Sequence, residues 1–155
     1  MSSVLLTTDG SDIATAAMIR AIAILGREHT FASLAVVPSA FLPGASVTPM
    51  DTHPVIDPEL EEEIEREGRV EGTTDLAELD KTLGITSDHI LETGEPGQTI
   101  CEVAARIGAD VVVVGSHGYG WLQRVLIGSV SHHVLHNSPC PVLVMRRDEG
   151  SPPPD

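Results

Sequence analysis

Four consecutive valines, Val111 to Val114, constrain the fold more than any other feature of this 155-residue chain. Successive side chains of a β-strand point to opposite faces, so a strand without a polar position is buried on both sides. Four further strands are predicted at residues 4–8, 31–37, 87–92 and 141–145. Helical patterns separate the strands, and this alternation is typical of a parallel sheet with helices on both faces. We therefore predict a doubly wound, five-stranded α/β fold.

The helices between these strands are predicted at residues 12–27, 59–83, 99–107 and 128–137. Ser11 can cap the first helix. Gly68 and Gly72 are expected to weaken the second helix by about 1 kcal/mol each relative to alanine, and its acidic start is interpreted as a solvated face.

The remaining segments are polar or rich in proline and glycine. Residues 38–58 are predicted to form a long loop, Gly94 to Gly97 a turn, and residues 148–155 a disordered tail. Residues 1–147 are expected to form a single domain.

The chain is strongly acidic, with a formal net charge of −14 and no basic stripe. Such a surface repels nucleic acids and anionic membranes, so neither is expected as a partner. No apolar run approaches the roughly 18 residues of a membrane span, and no signal peptide is seen at the start, so we expect a cytoplasmic protein. Cys101 and Cys140 are then expected to be free thiols.

The residues that follow the four valines are unusually small. Gly115, Gly118 and Gly120 allow the backbone to approach a ligand and to direct several N–H groups at one point. Gly128 and Ser129 then open a helix, whose first N–H groups have no intrahelical partner and carry partial positive charge. Since an acidic protein has few lysines to offer an anion, we predict that these backbone groups bind phosphate.

The spacing excludes three better-known loops. No lysine precedes Ser129, so the segment is not GxxxxGK[ST]. Gln123 stands where GxGxxG requires its last glycine, and the chain contains no GxSxG.

Two residues separate Gly115 from Gly118, and nine residues separate Gly118 from the pair Gly128-Ser129. Together with LLTTDGS near one terminus and SPCPVLVMR near the other, this spacing resembles the ATP-binding class of universal stress proteins over nearly the whole chain. The resemblance implies a Rossmann-like sheet with strand order 3-2-1-4-5 and ATP lying across strands one and four, with or without Mg²⁺ or Mn²⁺ on its phosphates. It also implies a homodimer through strand five, residues 141–146.

The resemblance further implies which residues contact the nucleotide. Thr7 and Asp9 line the adenosine end, although Thr7 stands where many members carry Pro, Ala or Val, and Val36 offers backbone contacts to adenine. The phosphates are held by Gly118, Gly128, Ser129 and Ser131. The complete expected set is Thr7, Thr8, Asp9, Val36, Gly115, Ser116, His117, Gly118, Gly120, Trp121, Gly128, Ser129, Val130 and Ser131.

Other interpretations of single residues stay open. Asp9 could simply cap the first helix, although its place at a strand end favours ligand contact. His117 could contact phosphate or face solvent, and Trp121 could be a lid or an exposed anchor.

Two histidine-containing pairs in this region suggest other chemistry. His132 and His136 share a helix face, but no third ligand is evident and no metal site is predicted. Ser116 and His117 are adjacent, which rarely orients a nucleophile toward its base, so no catalytic residue is predicted.

Two functions are consistent with these residues. The sequence favours an ATP-binding stress-response sensor or regulator with little or no turnover. The alternative is a slow ATP hydrolase or an α-phosphate-cleaving enzyme of a related α/β fold. Such chemistry needs a catalytic Lys, Arg or base near the phosphates, where the loop offers only Arg124 and His117.

Overall fold

The computed structural model describes residues 1–39, 58–116 and 127–146, and strands alternate with helices along them. The elements are β1 (Ser3–Thr8), α1 (Asp12–Leu25), β2 (Thr30–Pro38), α2 (Pro58–Leu83), β3 (Ser87–Gly94), α3 (Pro96–Ile107), β4 (Val111–Gly115), α4 (Ser129–Asn137) and β5 (Val142–Met145). Every predicted strand and helix is present. The predicted tail and most of the predicted 38–58 loop lie outside the described residues.

The five strands form one parallel sheet in the order β3-β2-β1-β4-β5, which confirms the predicted fold and strand order. β1 is central, with Leu6 opposite Ser33 of β2 on one side and opposite Val113 of β4 on the other. The chain therefore runs from β1 outward through β2 and β3, and returns on the other side of β1 to form β4 and β5. The carboxyl ends of β1 and β4 meet where this direction reverses, which is where open α/β sheets bind ligands.

Helices cover both faces of this sheet. α1 and α2 pack on one face, and α3 and α4 pack on the other. Val113 belongs to the first core, Val112 and Val114 belong to the second, and all three side chains are at most 2% exposed. The four-valine strand is therefore buried on both faces, as its sequence predicts.

α1 starts as predicted and ends slightly earlier than predicted. Ser11 is its N-cap, and the helix ends at Leu25 because Gly26 adopts a φ of +86° and donates its N–H to the carbonyl of Ile22. The predicted 38–58 loop is also shortened at both ends, since β2 includes Pro38 and α2 begins at Pro58.

α3 begins inside the segment that was predicted to be a turn. Its first residue is Pro96, and the Glu95 carboxylate accepts hydrogen bonds from the N–H groups of Gly97 and Gln98. Proline is common at the first helical position because its missing N–H would have no helical partner there. Gly97 also lies against the ring of His133, which a Cβ at Gly97 would approach to 2.9 Å. α3 and α4 therefore pack closely at this point.

The two glycines of α2 allow this helix to approach the sheet. A Cβ on Gly72 would lie 2.6 Å from Cδ1 of Leu91, and a Cβ on Gly68 would lie 2.6 Å from Cγ1 of Val37. The weakening expected from helix propensity is thus offset by the close packing of α2 on β2 and β3. Within the described ranges, no helix is both long and apolar enough to span a membrane.

Candidate functional site

The end of β1 is held by hydrogen bonds from two buried threonines. The hydroxyl of Thr7 donates to the carbonyl of Val113 in β4, at 2.9 Å. The hydroxyl of Thr8 accepts from the N–H of Gly10, at 3.1 Å. These bonds fix the exit of β1 beside β4 and begin a tight turn toward α1.

The exposed Asp9 carboxylate organises the start of α1. Its Oδ1 accepts from the N–H of Ser11 at 3.0 Å and from the Ser11 hydroxyl at 2.6 Å. Ser11 in turn caps the helix, because its Oγ accepts from the N–H of Ala14 at 3.1 Å. Asp9 therefore orients the capping residue, and its carboxylate still lies at the exposed carboxyl edge of the sheet.

Asp75 of α2, which was not among the predicted site residues, lies against this turn. Gly10 has a φ of +78°, which favours glycine, and a Cβ on it would require the Asp75 carboxylate to move. Partial burial raises the pKa of the Asp75 carboxyl, and the carboxylates of Glu71, Glu78 and Asp9 raise it further. Asp75 is far from Gly10 in sequence and belongs to no motif, so no local pattern could have identified it.

The exit of β4 is joined directly to the start of α4. The N–H of buried Ser116 donates to the carbonyl of Met145 in β5 at 2.8 Å, and its carbonyl accepts from the N–H of Gly128 at 2.7 Å. The second bond brings together the two ends of segment 117–127. Four of the predicted nucleotide-binding residues fall outside the described part of this segment, namely His117, Gly118, Gly120 and Trp121.

α4 begins without a side-chain cap. Gly128 is its N-cap, with extended backbone angles of φ −69° and ψ 161°, and no side chain of the described residues accepts a hydrogen bond there. Ser129, Val130 and Ser131 form the first turn, where a helix leaves its N–H groups without intrahelical partners. The positive end of the helix dipole lies at the same place. The start of α4 therefore offers several N–H groups to an anion.

Two other predicted residues lie at this edge. The hydroxyl of buried Ser131 donates to the carbonyl of Gly115, which ties the first turn of α4 to the last residue of β4. Val36 is half-buried in β2, one residue beyond Ala35, which pairs with Thr8. The structure thus gathers the described members of the predicted set at the carboxyl ends of β1, β2 and β4.

This edge combines an open helix start with an exposed carboxylate. Backbone N–H groups can bind an anion, and Asp9 can accept hydrogen bonds from hydroxyl or amine groups. Within residues 1–39, 58–116 and 127–146, no group of three or more His, Cys, Asp or Glu side chains is suited to hold a metal ion. The arrangement fits a ligand with an anionic end and a hydroxyl-bearing end.

Known proteins resemble this chain in both sequence and fold. The sequence model of the Universal stress protein family matches residues 1–146. Universal stress protein YxiE of Bacillus subtilis (strain 168) is 31% identical over 151 residues, covering 94% of this chain and 99% of YxiE. The solved structure of hypothetical protein MJ0577, from Methanocaldococcus jannaschii, has a TM-score of 0.77 at 25% identity and covers 96% of this chain and 98% of its own.

A third similar protein shares the fold at lower identity. The crystal structure of a universal stress protein family protein from Arabidopsis thaliana with AMP bound has a TM-score of 0.65 at 19% identity. It covers 96% of this chain and 94% of its own, and the likeness concerns the fold alone. On the family match and the near full-length likeness to YxiE, the chain belongs to the universal stress protein family.

Proposed function

We propose that this protein binds ATP at the carboxyl edge between β1 and β4 and acts as a nucleotide-dependent stress-response sensor or regulator with little or no turnover. The uncapped start of α4 carries the proposal. It lies at the switch point of the sheet, beside the end of β4, and it follows the glycine spacing of segment 115–129. A helix start in that position favours an anionic group such as a phosphate.

The phosphates would be held mainly by backbone groups. The N–H groups of Ser129, Val130 and Ser131 are the nearest donors, and hydrogen bonds to a charged acceptor contribute roughly 1.5–3 kcal/mol each. The hydroxyl of Ser131 already donates to Gly115, so we assign its phosphate contact to the backbone N–H. Ser129 is exposed and can add its hydroxyl. This mode of binding suits a chain with a net charge of −14.

The adenosine end would lie along the exits of β1 and β2. Asp9 is exposed there and can accept hydrogen bonds from ribose hydroxyls. Val36 is half-buried and can offer an apolar side chain and backbone groups to adenine. Because the Thr7 hydroxyl donates to Val113, we assign Thr7 and Thr8 to shaping this end of the site rather than to bonding the ligand.

A divalent ion fits this site as a companion of the nucleotide. Mg²⁺ and Mn²⁺ prefer oxygen ligands and commonly keep several waters while they bind phosphate oxygens. The exposed hydroxyl of Ser129 and the carboxylate of Asp9 are the oxygen donors at this edge that could assist. Such an ion neutralises phosphate charge when it is bound.

The proposed low turnover rests on the scarcity of catalytic groups. Phosphoryl transfer needs positioned cations or a base near the phosphates, and segment 115–129 contains only Arg124, His117 and hydroxyl groups for such roles. The alternative function, slow ATP hydrolysis or cleavage at the α-phosphate, predicts ADP or AMP after long incubation. Product analysis by chromatography separates the two, since the proposed regulator leaves ATP essentially intact.

The same proposal includes a cytoplasmic homodimer formed through β5. This strand lies at the edge of the sheet, and Val142, Leu143 and Val144 are each only half-buried. An apolar edge with unpaired backbone groups favours pairing with a second copy of the chain. Light scattering should give the mass of a dimer at a protein concentration of about tens of micromolar, at which a stable interface is populated.

Calorimetry with ATP, AMP and cyclic AMP tests the binding proposal. AMP belongs in the panel because a protein with the same fold has been crystallised with AMP bound. We expect Gly118→Val to abolish ATP binding while the fold and the dimer persist, because a β-branched side chain blocks backbone approach. Ser129→Ala should weaken binding less, since its N–H remains. Wild-type affinity in folded Gly118→Val protein would contradict the proposal.

A further inference from the structure

We propose that His132 and His136 form a binding site for a divalent transition-metal ion on the exposed side of α4. The two residues are four positions apart, so their side chains lie one above the other on the same helix face. Their ring centres are 4.5 Å apart, with 58° between the ring planes. Both side chains are exposed, and neither has a hydrogen bond or ion pair with the residues that the structure describes.

The ring separation agrees with the geometry of two imidazoles on one ion. Imidazole nitrogens bind such ions at about 2.0–2.1 Å, so the ring centres lie about 4.5 Å apart for a right-angle pair and about 5.2 Å apart for a tetrahedral pair. The observed 4.5 Å falls within this range. The two rings are therefore close enough for one nitrogen of each to reach a shared ion after side-chain rotation.

The donor set selects the class of ion. Imidazole suits Ni²⁺, Cu²⁺ and Zn²⁺, whereas Mg²⁺ and Ca²⁺ prefer oxygen ligands. No third His, Cys, Asp or Glu completes a metal-binding group in the part of the chain that the structure describes, so water fills the other positions. The ion is therefore exchangeable.

An ion bound by His132 and His136 should stabilise α4. This helix has only nine residues, and the pair joins its first turn to its last. An ion that bridges the pair binds the folded helix more tightly than the unfolded chain, so it stabilises the fold by mass action. The melting temperature should therefore rise with the concentration of free ion.

The neighbouring His133 provides a matched control. It is an imidazole on the same helix, but its ring lies against Gly97 of α3 instead of facing the other two. Glutamine at any of the three positions removes the ring and keeps a good helix former.

The test is a calorimetric titration with Ni²⁺ alone, without nucleotide, on wild type, His132→Gln, His136→Gln and His133→Gln. Circular dichroism first verifies that each variant is folded. We expect one ion per chain in wild type, at least tenfold weaker binding in His132→Gln and His136→Gln, and wild-type binding in His133→Gln. Unchanged binding in His132→Gln and His136→Gln, or equal loss in all three variants, would overturn the proposal. Because no nucleotide is present, either result leaves the ATP proposal untouched.

Discussion

Four helices follow strands at the carboxyl edge of the sheet, and three of them have a described N-cap. The starts of α1 and α3 are closed by a capping side chain, and the start of α4 is open. Ser11 caps α1 with its hydroxyl, and Glu95 caps α3 with its carboxylate, which accepts from two N–H groups. Gly128 leaves α4 without a side-chain cap among the described residues. Capping side chains are common because an unsatisfied helix start is unfavourable. This difference is the basis of our proposal that the start of α4 binds a ligand, whereas Ser11 and Glu95 serve the fold.

The largest expected effect comes from closing the open helix start with Gly128→Asp. The backbone angles of Gly128 suit an N-cap aspartate, whose carboxylate would occupy the N–H groups and repel phosphate. Losing two or three bonds of roughly 1.5–3 kcal/mol each lowers ATP affinity by more than about a hundredfold. Stability should stay equal or rise by a few tenths of a kcal/mol.

Calorimetry and thermal melting on the same samples check this result. Gly128→Asn separates the two causes, since asparagine caps the helix without adding charge. Undiminished ATP binding by a folded Gly128→Asp protein would remove the distinction between α4 and the other two helices.

A smaller loss of affinity is expected at the closed start of α1, from Asp9→Ala. We expect about tenfold weaker ATP binding, equivalent to about 1.4 kcal/mol, and a stability loss of about 1 kcal/mol because Ser11 loses its hydrogen-bond acceptor. Asp9→Asn keeps an acceptor oxygen for Ser11 and should affect affinity more than stability. Equal ATP affinity in wild type and both variants would reduce Asp9 to a support for the helix cap.

Ser11→Ala should affect stability and leave binding almost unchanged. Loss of this N-cap costs about 1 kcal/mol, which lowers the melting temperature by roughly 2–4 °C for a domain of this size. ATP affinity should stay within about twofold of wild type, because Ser11 is buried beneath the turn. A loss of affinity as large as that of Asp9→Ala would mean that α1 and α4 do not differ in the proposed way.

The smallest effect is a pH dependence at Asp75. Its raised pKa means that the folded protein keeps this proton to higher pH than the unfolded chain does. The contribution of Asp75 to stability is therefore greatest below its ordinary pKa of 3.8 and is lost as pH rises through the raised value. Asp75→Asn should have a higher melting temperature than wild type at neutral pH. The difference between the two melting temperatures should disappear as pH falls toward 3.8. Melting curves of both proteins across that pH range check this result. A melting-temperature difference that does not change with pH would contradict the raised pKa of Asp75.

Local patterns predicted most of the fold. Unbroken apolar runs predicted the strands, because a strand buried on both faces needs apolar residues at successive positions. Helical periodicity predicted the helices, because a helix buried on one face needs apolar residues every three or four positions. The start of α3 was predicted too late because Pro96 was interpreted as part of a turn, although proline also fits a first helical turn. The strand order came from the family resemblance rather than from the residues themselves.

The site was harder to predict because its contacts join distant segments. The role of Gly10 depends on Asp75, whose position is not indicated by the residues that neighbour Gly10. Ser131 was expected to hold phosphate, and only the structure reveals that its hydroxyl donates to Gly115. Spacing identifies which residues share an edge, but not which hydrogen bonds each of them makes.

The bond between the carbonyl of Ser116 and the N–H of Gly128 also bears on how this family can diversify. It holds the two residues that flank segment 117–127 together at the carboxyl edge of the sheet. Substitutions inside segment 117–127 that preserve its length are therefore expected to leave the sheet and the start of α4 in place.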